Sequence, residues 1–230
     1  MTASSRQHIL TIDIGGSHVK IRASNRRAIR QFASSPALTA RQMVAQVRSL
    51  SSDWTYRRVS IGYPGVVVDG RIVCEPANLG HGWAGFDFAK AFGMPTRIIN
   101  DAAMQALGSY CGGRMLYLGF GTGLGTVLII RSRIFPMELA HLPLTKRGLI
   151  QNYVGDAARR RLGRRRWRAN AKSLIRQLAG ILDAEYVVAG GGNARHLGRL
   201  PRNVRLGDNE LAFTGGFRLW RAAGMKSSFP

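Results

Sequence analysis

Cysteine is scarce in this sequence: its 230 residues contain only Cys74 and Cys111. Two cysteines cannot build a disulfide framework or a cysteine-rich zinc site. The apolar runs are also short, and none approaches the roughly 18–20 residues that a membrane-spanning helix needs. Strand-like residues begin at His8, which leaves no room for a secretory signal peptide. These absences predict a protein of the reducing cytoplasm that does not enter a membrane.

Acidic residues are also few, with 12 Asp and Glu against 34 Lys and Arg, which gives a formal net charge of +22. Such a charge attracts polyanions: nucleic acid, anionic lipid or an inorganic phosphate polymer. The excess of arginine, 29 Arg against 5 Lys, is equally what a biased codon supply produces, so charge alone identifies no partner. Carboxylates in apolar or glycine-rich contexts stand out against this background: Asp13, Asp101 and Glu138.

Only 8 prolines and a hydrophobic fraction of 45% predict a folded chain. Three strands are expected at 8–14, 18–23 and 26–32, a helix from Thr39, its N-cap, to Leu50, and the clearest helix from Arg164 to Leu182. Strand, glycine turn, strand and helices recur in the second half. The pattern predicts an α/β protein with two similar lobes around a cleft, at 1–100 and 101–230. The last helix, Phe213 to Ala222, is a candidate to pack back on the first lobe.

Two glycine-rich turns between strands carry the strongest chemical signal. The first runs from Asp13 to Ser17 and the second from Gly119 to Gly125. Glycine lets backbone N–H groups crowd around phosphate oxygens, so both turns are candidate phosphate loops. The phosphate ligands expected there are Gly15, Gly16, Ser17 and Lys20 in the first turn, and Gly121, Thr122 and Gly123 in the second.

Asp13 is placed to hold Mg²⁺ directly or through water. The alternative is an ordinary hairpin turn with residues chosen for backbone geometry. A third run, Gly190, Gly191 and Gly192, follows a strand and would let a nucleotide or a polyphosphate tail approach the backbone. Its alternative is a tight strand-to-helix turn.

Asn100 and Asp101 end another apolar run. Asp101 is the candidate general base for a hydroxyl that attacks a phosphoryl group, and the Asn100 amide can orient a polyol. The alternative is that Asp101 only caps the helix from Ala102 to Tyr110. Glu138 and His141, three residues apart, offer acceptors and a donor to sugar hydroxyls. A metal pair or an incidental surface pattern are the other interpretations.

Taken in order, these segments resemble the ROK family of sugar kinases in the actin-like ATPase superfamily, which has a ribonuclease H-like fold. The stretches that carry the resemblance are TIDIGGSHVK, NDAAMQALG, GFGTGLGTVLI, ELAH and VVAGGGNA. The resemblance implies a kinase that phosphorylates the 6-hydroxyl of glucose or a related hexose, with Mg²⁺ as cofactor and a homodimeric assembly. It implies Asp101 as both base and sugar ligand, with Asn78, Asn100, Glu138 and His141 as the other sugar ligands.

The sequence departs from many members of that family after His141, where LPLTKRGLIQNYV contains none of the cysteines of their zinc motif. No zinc site is therefore expected. Because the first strand starts at once, a repressor with an N-terminal winged helix is not expected either. The zinc-free stretch resembles the polyphosphate glucokinase branch, which implies polyphosphate, ATP or both as phosphoryl donor.

Seven arginines follow within ten residues and are a candidate track for a linear polyanion, or else a solvated basic face: Arg159, Arg160, Arg161, Arg164, Arg165, Arg166 and Arg168. Two alternatives to the main hypothesis stay open. One is an ATP-only kinase for mannose, fructose or an N-acetylated hexosamine. The other is a non-catalytic module that binds a polyanion on the same fold. The intact Asp13, Asn100, Asp101, Glu138 and His141 argue against the latter. Nucleic acid is not the expected partner.

Overall fold

The computed structural model describes residues 8–145, 148–208 and 210–221. Its strands are β1 (Ile9–Ile14), β2 (His18–Ala23), β3 (Arg30–Ala33), β4 (Arg58–Tyr63), β5 (Val67–Val68), β6 (Arg71–Ile72), β7 (Thr96–Asn100), β8 (Arg114–Phe120), β9 (Leu124–Ile130), β10 (Arg133–Met137), β11 (Pro143–Thr145), β12 (Gly148–Leu149), β13 (Tyr186–Gly190) and β14 (Val204–Leu206). Its α-helices are α1 (Ala40–Leu50), α2 (Phe88–Phe92), α3 (Asp101–Ser109), α4 (Gln151–Val154), α5 (Asp156–Ile181) and α6 (Leu211–Arg218). Short 3-10 helices span Leu139–His141 and Ala194–His196.

The predicted α/β class is confirmed. Within the described ranges, no helix combines the length and the apolar character that crossing a membrane requires.

The chain divides into two compact units. Unit 1 contains the described residues up to Met104 and those from Ala212 onward, and unit 2 runs from Gln105 to Leu211. Each unit has a five-stranded sheet and an apolar core of its own.

The sheet of unit 1 has the strand order β3-β2-β1-β4-β7. Strands β1, β2 and β3 form an antiparallel meander, whereas β4 and β7 run parallel to β1. Parallel strands end at the same edge of a sheet, so β1, β4 and β7 present their carboxyl ends together. The predicted N-cap of α1 is confirmed: Thr39 and Gln42 form a reciprocal capping box.

The sheet of unit 2 repeats this pattern in the order β10-β9-β8-β13-β14. Strands β8, β9 and β10 form the meander, and β13 and β14 run parallel to β8. Helix α5 buries Trp167, Ala171, Leu174 and Ile175 in the core of this unit. The spacing of these side chains is the helical period that the sequence predicted.

The predicted bounds of the third strand and of the last helix were wrong. The third strand begins at Arg30 rather than at residue 26, because the N–H of Arg26 closes a turn on Ala23 O at 2.9 Å. The helix predicted from Arg164 to Leu182 is confirmed as the part of α5 that follows the break at Gly163 (φ 73°, ψ 162°), and a shorter helical segment from Asp156 precedes that break. The last helix, α6, spans Leu211–Arg218, and Ala222 lies outside the described residues.

Candidate functional site

The first glycine turn lies at the carboxyl edge of the unit 1 sheet, between β1 and β2. Ser34 holds it from one side: its N–H donates to Ser17 O at 3.0 Å and its hydroxyl to Gly15 O at 2.8 Å. Gly16 and Ser17 are exposed, and their N–H groups have no hydrogen-bond partner within the described part of the chain. A turn with fixed carbonyls and available N–H groups suits a phosphate oxygen.

Asp13 lies beside this turn, near the end of β1, and is only partly exposed. Burial raises the pKa of its carboxyl from 3.8 to about 6, against the opposing effect of the Lys20 charge. Lys20 is the cross-strand partner of Asp13 on β2. A carboxylate that is costly to ionise gains from a cation placed next to it.

The surroundings of Asp13 fit Mg²⁺ better than a closed metal cage. Among the residues that the structure describes, no group of three or more His, Cys, Asp or Glu side chains is placed to hold a metal ion. Mg²⁺ is usually bound through one or two carboxylates together with substrate phosphates and waters. One carboxylate beside a phosphate-loop candidate is a donor set of that kind.

Asn100 and Asp101 end β7 at the same edge. Gly62 on β4 is the register partner of Asp13, and a Cβ on Gly62 would come within 3.5 Å of the Asp101 Cα. Asp13 and Asp101 thus flank one glycine at neighbouring strand ends. The structure brings together the predicted magnesium ligand and the predicted base.

The predicted cap of the following helix was assigned to the wrong residue. Helix α3 begins at Asp101, one residue early, and Asn100 is the capping residue: its Oδ1 accepts the Ala103 N–H at 3.1 Å. Asp101 Oδ1 accepts the N–H of its neighbour Ala102 at 2.7 Å. The Asn100 Nδ2 donates to Gly65 O at 3.1 Å, so this amide is fixed at both ends.

The exposed Asn78 lies in the loop between β6 and α2. Glu75 organises this loop: its carboxylate accepts the N–H groups of Gly82, Trp83 and Ala84 at 3.1–3.3 Å. Desolvation raises the pKa of Glu75, but the three backbone N–H groups outweigh it, and the pKa lies below its usual value. Trp83 is fully buried and donates its indole N–H to Leu38 O at 3.1 Å. The scarcity of acids in the sequence is the one signal that could have singled out Glu75.

In unit 2, three predicted segments meet at one edge of the sheet. The pairing of Phe120 with Leu124 places the second glycine turn there. Gly190 pairs with Gly119, so β13 ends at this edge, and β10 also ends there because Met137 pairs with Thr126. The second candidate phosphate loop, the third glycine run and Glu138 therefore lie along the same side.

Two residues that the sequence analysis missed hold the second turn. The Asp156 N–H donates to Gly121 O at 3.0 Å and to Thr122 O at 3.3 Å. Asn193 donates its N–H to Phe120 O at 2.9 Å and its Nδ2 to Gly121 O at 3.2 Å. As in unit 1, the carbonyl oxygens of the turn are engaged by the scaffold.

Packing accounts for two glycines of the third run. A Cβ at Gly190 would lie 2.1 Å from the Tyr117 hydroxyl, and one at Gly191 would lie 2.4 Å from Phe120 O. Gly191 also has a φ of +79°, which favours glycine. A Cβ at Gly192 would meet nothing within 4 Å, so this glycine has no packing requirement.

Glu138 and His141 bracket the 3-10 helix that follows β10. Their Oε2 and Nε2 atoms are 3.8 Å apart, and the two side chains are 61% and 62% exposed, respectively. Ala140 between them is buried and anchors the turn. Both polar side chains are accessible to a ligand.

The arginine-rich segment lies on both sides of the break at Gly163. Arg159 and Arg160 pair with the two carboxylate oxygens of Asp156, which lowers the pKa of Asp156. Arg161 donates to Asn152 O at 2.8 Å. Arg164, Arg165 and Arg166 are exposed, and Arg168 donates to His196 O at 3.0 Å.

No family model matches the chain. It is 28% identical over 223 residues to a polyphosphate glucokinase from Mycobacterium leprae. The matched region covers 85% of this chain and 67% of the relative. The inorganic polyphosphate/ATP-glucomannokinase from Arthrobacter sp. strain KM has a similar structure, with a TM-score of 0.77 at 20% identity over 92% of this chain and 97% of that one. A ROK family glucokinase from Streptomyces griseus, solved with glucose and AMPPNP, matches with a TM-score of 0.70 at 18% identity over 92% and 98% of the chains. These likenesses confirm the predicted resemblance to ROK sugar kinases and polyphosphate glucokinases, and the predicted actin-like ATPase fold.

Proposed function

We propose that this chain is a sugar kinase that transfers a phosphoryl group from inorganic polyphosphate, ATP or both to the 6-hydroxyl of glucose or a related hexose. One observation carries the proposal: Asp13 and Asp101 lie at neighbouring strand ends beside an exposed glycine turn. The likeness to a polyphosphate glucokinase over 85% of the chain gives this arrangement its context.

In the proposed reaction Asp101 accepts the proton of the sugar hydroxyl as the hydroxyl oxygen bonds to the terminal phosphorus of the donor. The bond from that phosphorus to its bridging oxygen breaks, and a shortened polyphosphate or ADP leaves. The Asn100 amide, already bound to Ala103 and Gly65, retains one N–H and one lone pair to orient the sugar. Asn78, Glu138 and His141 are the further proposed sugar ligands.

Positioning and charge neutralisation supply most of the catalysis in phosphoryl transfer. The proposed phosphate ligands are the two glycine turns, Gly15 to Ser17 and Gly121 to Gly123. Lys20 adds a positive charge beside the first turn. Asp13 would hold Mg²⁺, which when bound neutralises charge on the phosphate oxygens. We propose no zinc site.

Polyphosphate is the preferred phosphoryl donor in this proposal. The support is the direct hydrogen bonding of the second turn to Asp156, the residue that starts the arginine-rich helix. An ATP-only kinase for another hexose is the second candidate, and the exposed, open Gly192 is the position that favours a nucleotide approach.

A coupled assay that compares polyphosphate with ATP at fixed glucose, each with and without Mg²⁺, tests the proposal. We expect Mg²⁺-dependent hexose 6-phosphate from polyphosphate. If neither donor yields a phosphorylated sugar with glucose, mannose, fructose or N-acetylglucosamine, the kinase assignment fails and a non-catalytic polyanion-binding module remains.

Two further parts of the proposal concern the cell. Cys74 and Cys111 are free and exposed, which suits a reducing compartment and supports a cytoplasmic location. We also propose a homodimer, which light scattering after size-exclusion chromatography tests directly.

A further inference from the structure

Several arginines lie around His196, at the end of the 3-10 helix Ala194–His196. Arg168 donates its Nε–H to His196 O at 3.0 Å, and Arg195 Nε lies 3.5 Å from the His196 Nε2. Desolvation lowers the pKa of His196, and the nearby charges of Arg159, Arg195, Arg164 and Arg168 lower it further. Four guanidinium groups thus act on one imidazole.

The scaffold leaves most of this charge uncompensated. Asp156 is the carboxylate nearest in sequence to these arginines on α5, and its two oxygens already engage Arg159 and Arg160. Over the described residues, no ion pair reaches Arg164, Arg168 or Arg195. Like charges held together repel one another, so a bound anion would stabilise the cluster.

The cluster is continuous with the second glycine turn. Asp156, which holds Gly121 and Thr122 through its N–H, precedes Arg159 by one helical turn of about 5 Å. Asn193, which holds Phe120 and Gly121, leads directly into the segment of Arg195 and His196. The same two segments that fix the turn therefore carry the arginines.

We propose that Arg159, Arg164, Arg168 and Arg195 form, around His196, a binding site for the distal phosphates of a linear polyphosphate whose reacting end lies at the second glycine turn. The role of this site in holding the phosphoryl donor rests on the proposed kinase function. Guanidinium groups bind phosphate oxygens in a bidentate manner and stay charged.

The chemistry of the cluster favours a phosphate polymer over nucleic acid. Single-stranded nucleic acids are bound by basic grooves that also offer aromatic platforms for the bases. The aromatic residue in this stretch of α5, Trp167, is fully buried and donates its indole N–H to Val154 O at 2.7 Å. It is not available for stacking.

The test removes two exposed guanidinium groups of the cluster in the double variant Arg164→Gln/Arg195→Gln. The matched control is Arg176→Gln/Arg199→Gln, two exposed arginines on α5 and after the same 3-10 helix that are not among the groups acting on His196. Both variants lower the net charge equally. Calorimetric titration of the intact protein with long-chain polyphosphate, tripolyphosphate and duplex or single-stranded DNA gives the affinities without turnover.

We expect the cluster variant to bind long-chain polyphosphate about tenfold more weakly than the unmodified protein, and the control to stay within about twofold. Tripolyphosphate has few phosphates beyond its reacting end, so it should distinguish the two variants little. In kinetics the KM for long-chain polyphosphate should rise far more than kcat falls. Equal losses in both variants, unchanged affinity in the cluster variant, or a loss confined to DNA would each overturn the site.

His196 supplies a second readout. A bound polyanion offsets the charges of Arg159, Arg164, Arg168 and Arg195, so the pKa of His196 should rise and binding should take up a proton near neutral pH. Titrations in two buffers of different ionisation enthalpy measure this uptake, and His196→Gln should abolish it. Because binding is measured without glucose, an inactive protein would refute the kinase function while the site could still be judged.

Discussion

Replacing Asp13 by asparagine should stabilise the protein while removing the proposed magnesium ligand. Asp13 lies at the end of a buried strand, and burial raises its pKa to about 6. Asparagine has almost the same shape and carries no charge. The substitution therefore isolates the free energy of holding an ionised carboxylate at this position.

The sign follows from proton linkage. Since the folded pKa of about 6 lies above the ordinary 3.8, the folded state binds the proton more tightly between these values. Stability due to this group is retained at low pH and lost as the pH rises through that window. A pKa difference of about two units between the folded and unfolded states corresponds to a free energy of unfolding of about 3 kcal/mol. Because the side chain is partly exposed, the expected contribution is about 1–3 kcal/mol.

Urea unfolding of the two proteins between pH 4 and pH 8, without Mg²⁺, measures the effect. At pH 8 the Asp13→Asn variant should be more stable by about 1–3 kcal/mol, and the gain should vanish toward pH 4. The control Lys20→Gln removes the opposing charge and should reduce the stability at pH 8 in the Asp13 background only. A gain that does not change with pH, or a loss at pH 8, would refute the burial argument.

Two other predictions concern the loop that Glu75 organises and the packing of Gly191. Glu75→Gln should raise the KM for glucose about three- to tenfold with a smaller effect on kcat, because the loop that carries Asn78 loses charge-assisted hydrogen bonds. The control Asp87→Asn, which weakens the cap of α2, should leave the KM for glucose unchanged. Gly191→Ala should destabilise the protein by about 2 kcal/mol or more in thermal unfolding, because its Cβ would contact Phe120 O at a positive φ, whereas Gly192→Ala should be nearly neutral. Equal KM effects of the first pair, or equal melting temperatures of the second, would contradict these accounts.

Local patterns in the sequence predicted most of the elements. Apolar runs located β1 and β7, and the helical spacing of Trp167, Ala171 and Leu174 located the main helix. The failed assignments of the third strand and of the α3 cap each depended on a single hydrogen bond. The Asn100 side chain rather than that of Asp101 caps α3, and both residue types are good caps, so propensity could not separate them.

The residues that hold the candidate site in place could not be predicted from the sequence, because their contacts join segments that are distant along the chain. Asn193 is 72 residues away from the Gly121 carbonyl that it holds. Gly190 and Gly191 are required by Tyr117 and Phe120 on the neighbouring strand, which no local pattern reveals. The residues offered to the ligand follow from motifs, whereas the residues that hold them follow from the pairing of strands.

Formation of glucose 6-phosphate by the Asp101→Asn variant tests the central claim most directly. With saturating glucose, Mg²⁺ and either polyphosphate or ATP, kcat should fall by about 10²- to 10⁴-fold, as expected for loss of a general base. Calorimetry should still detect glucose binding by the variant, since Asn100 keeps its bonds to Ala103 and Gly65. A variant that retains the kcat of the unmodified enzyme would contradict the assignment of Asp101 as the base.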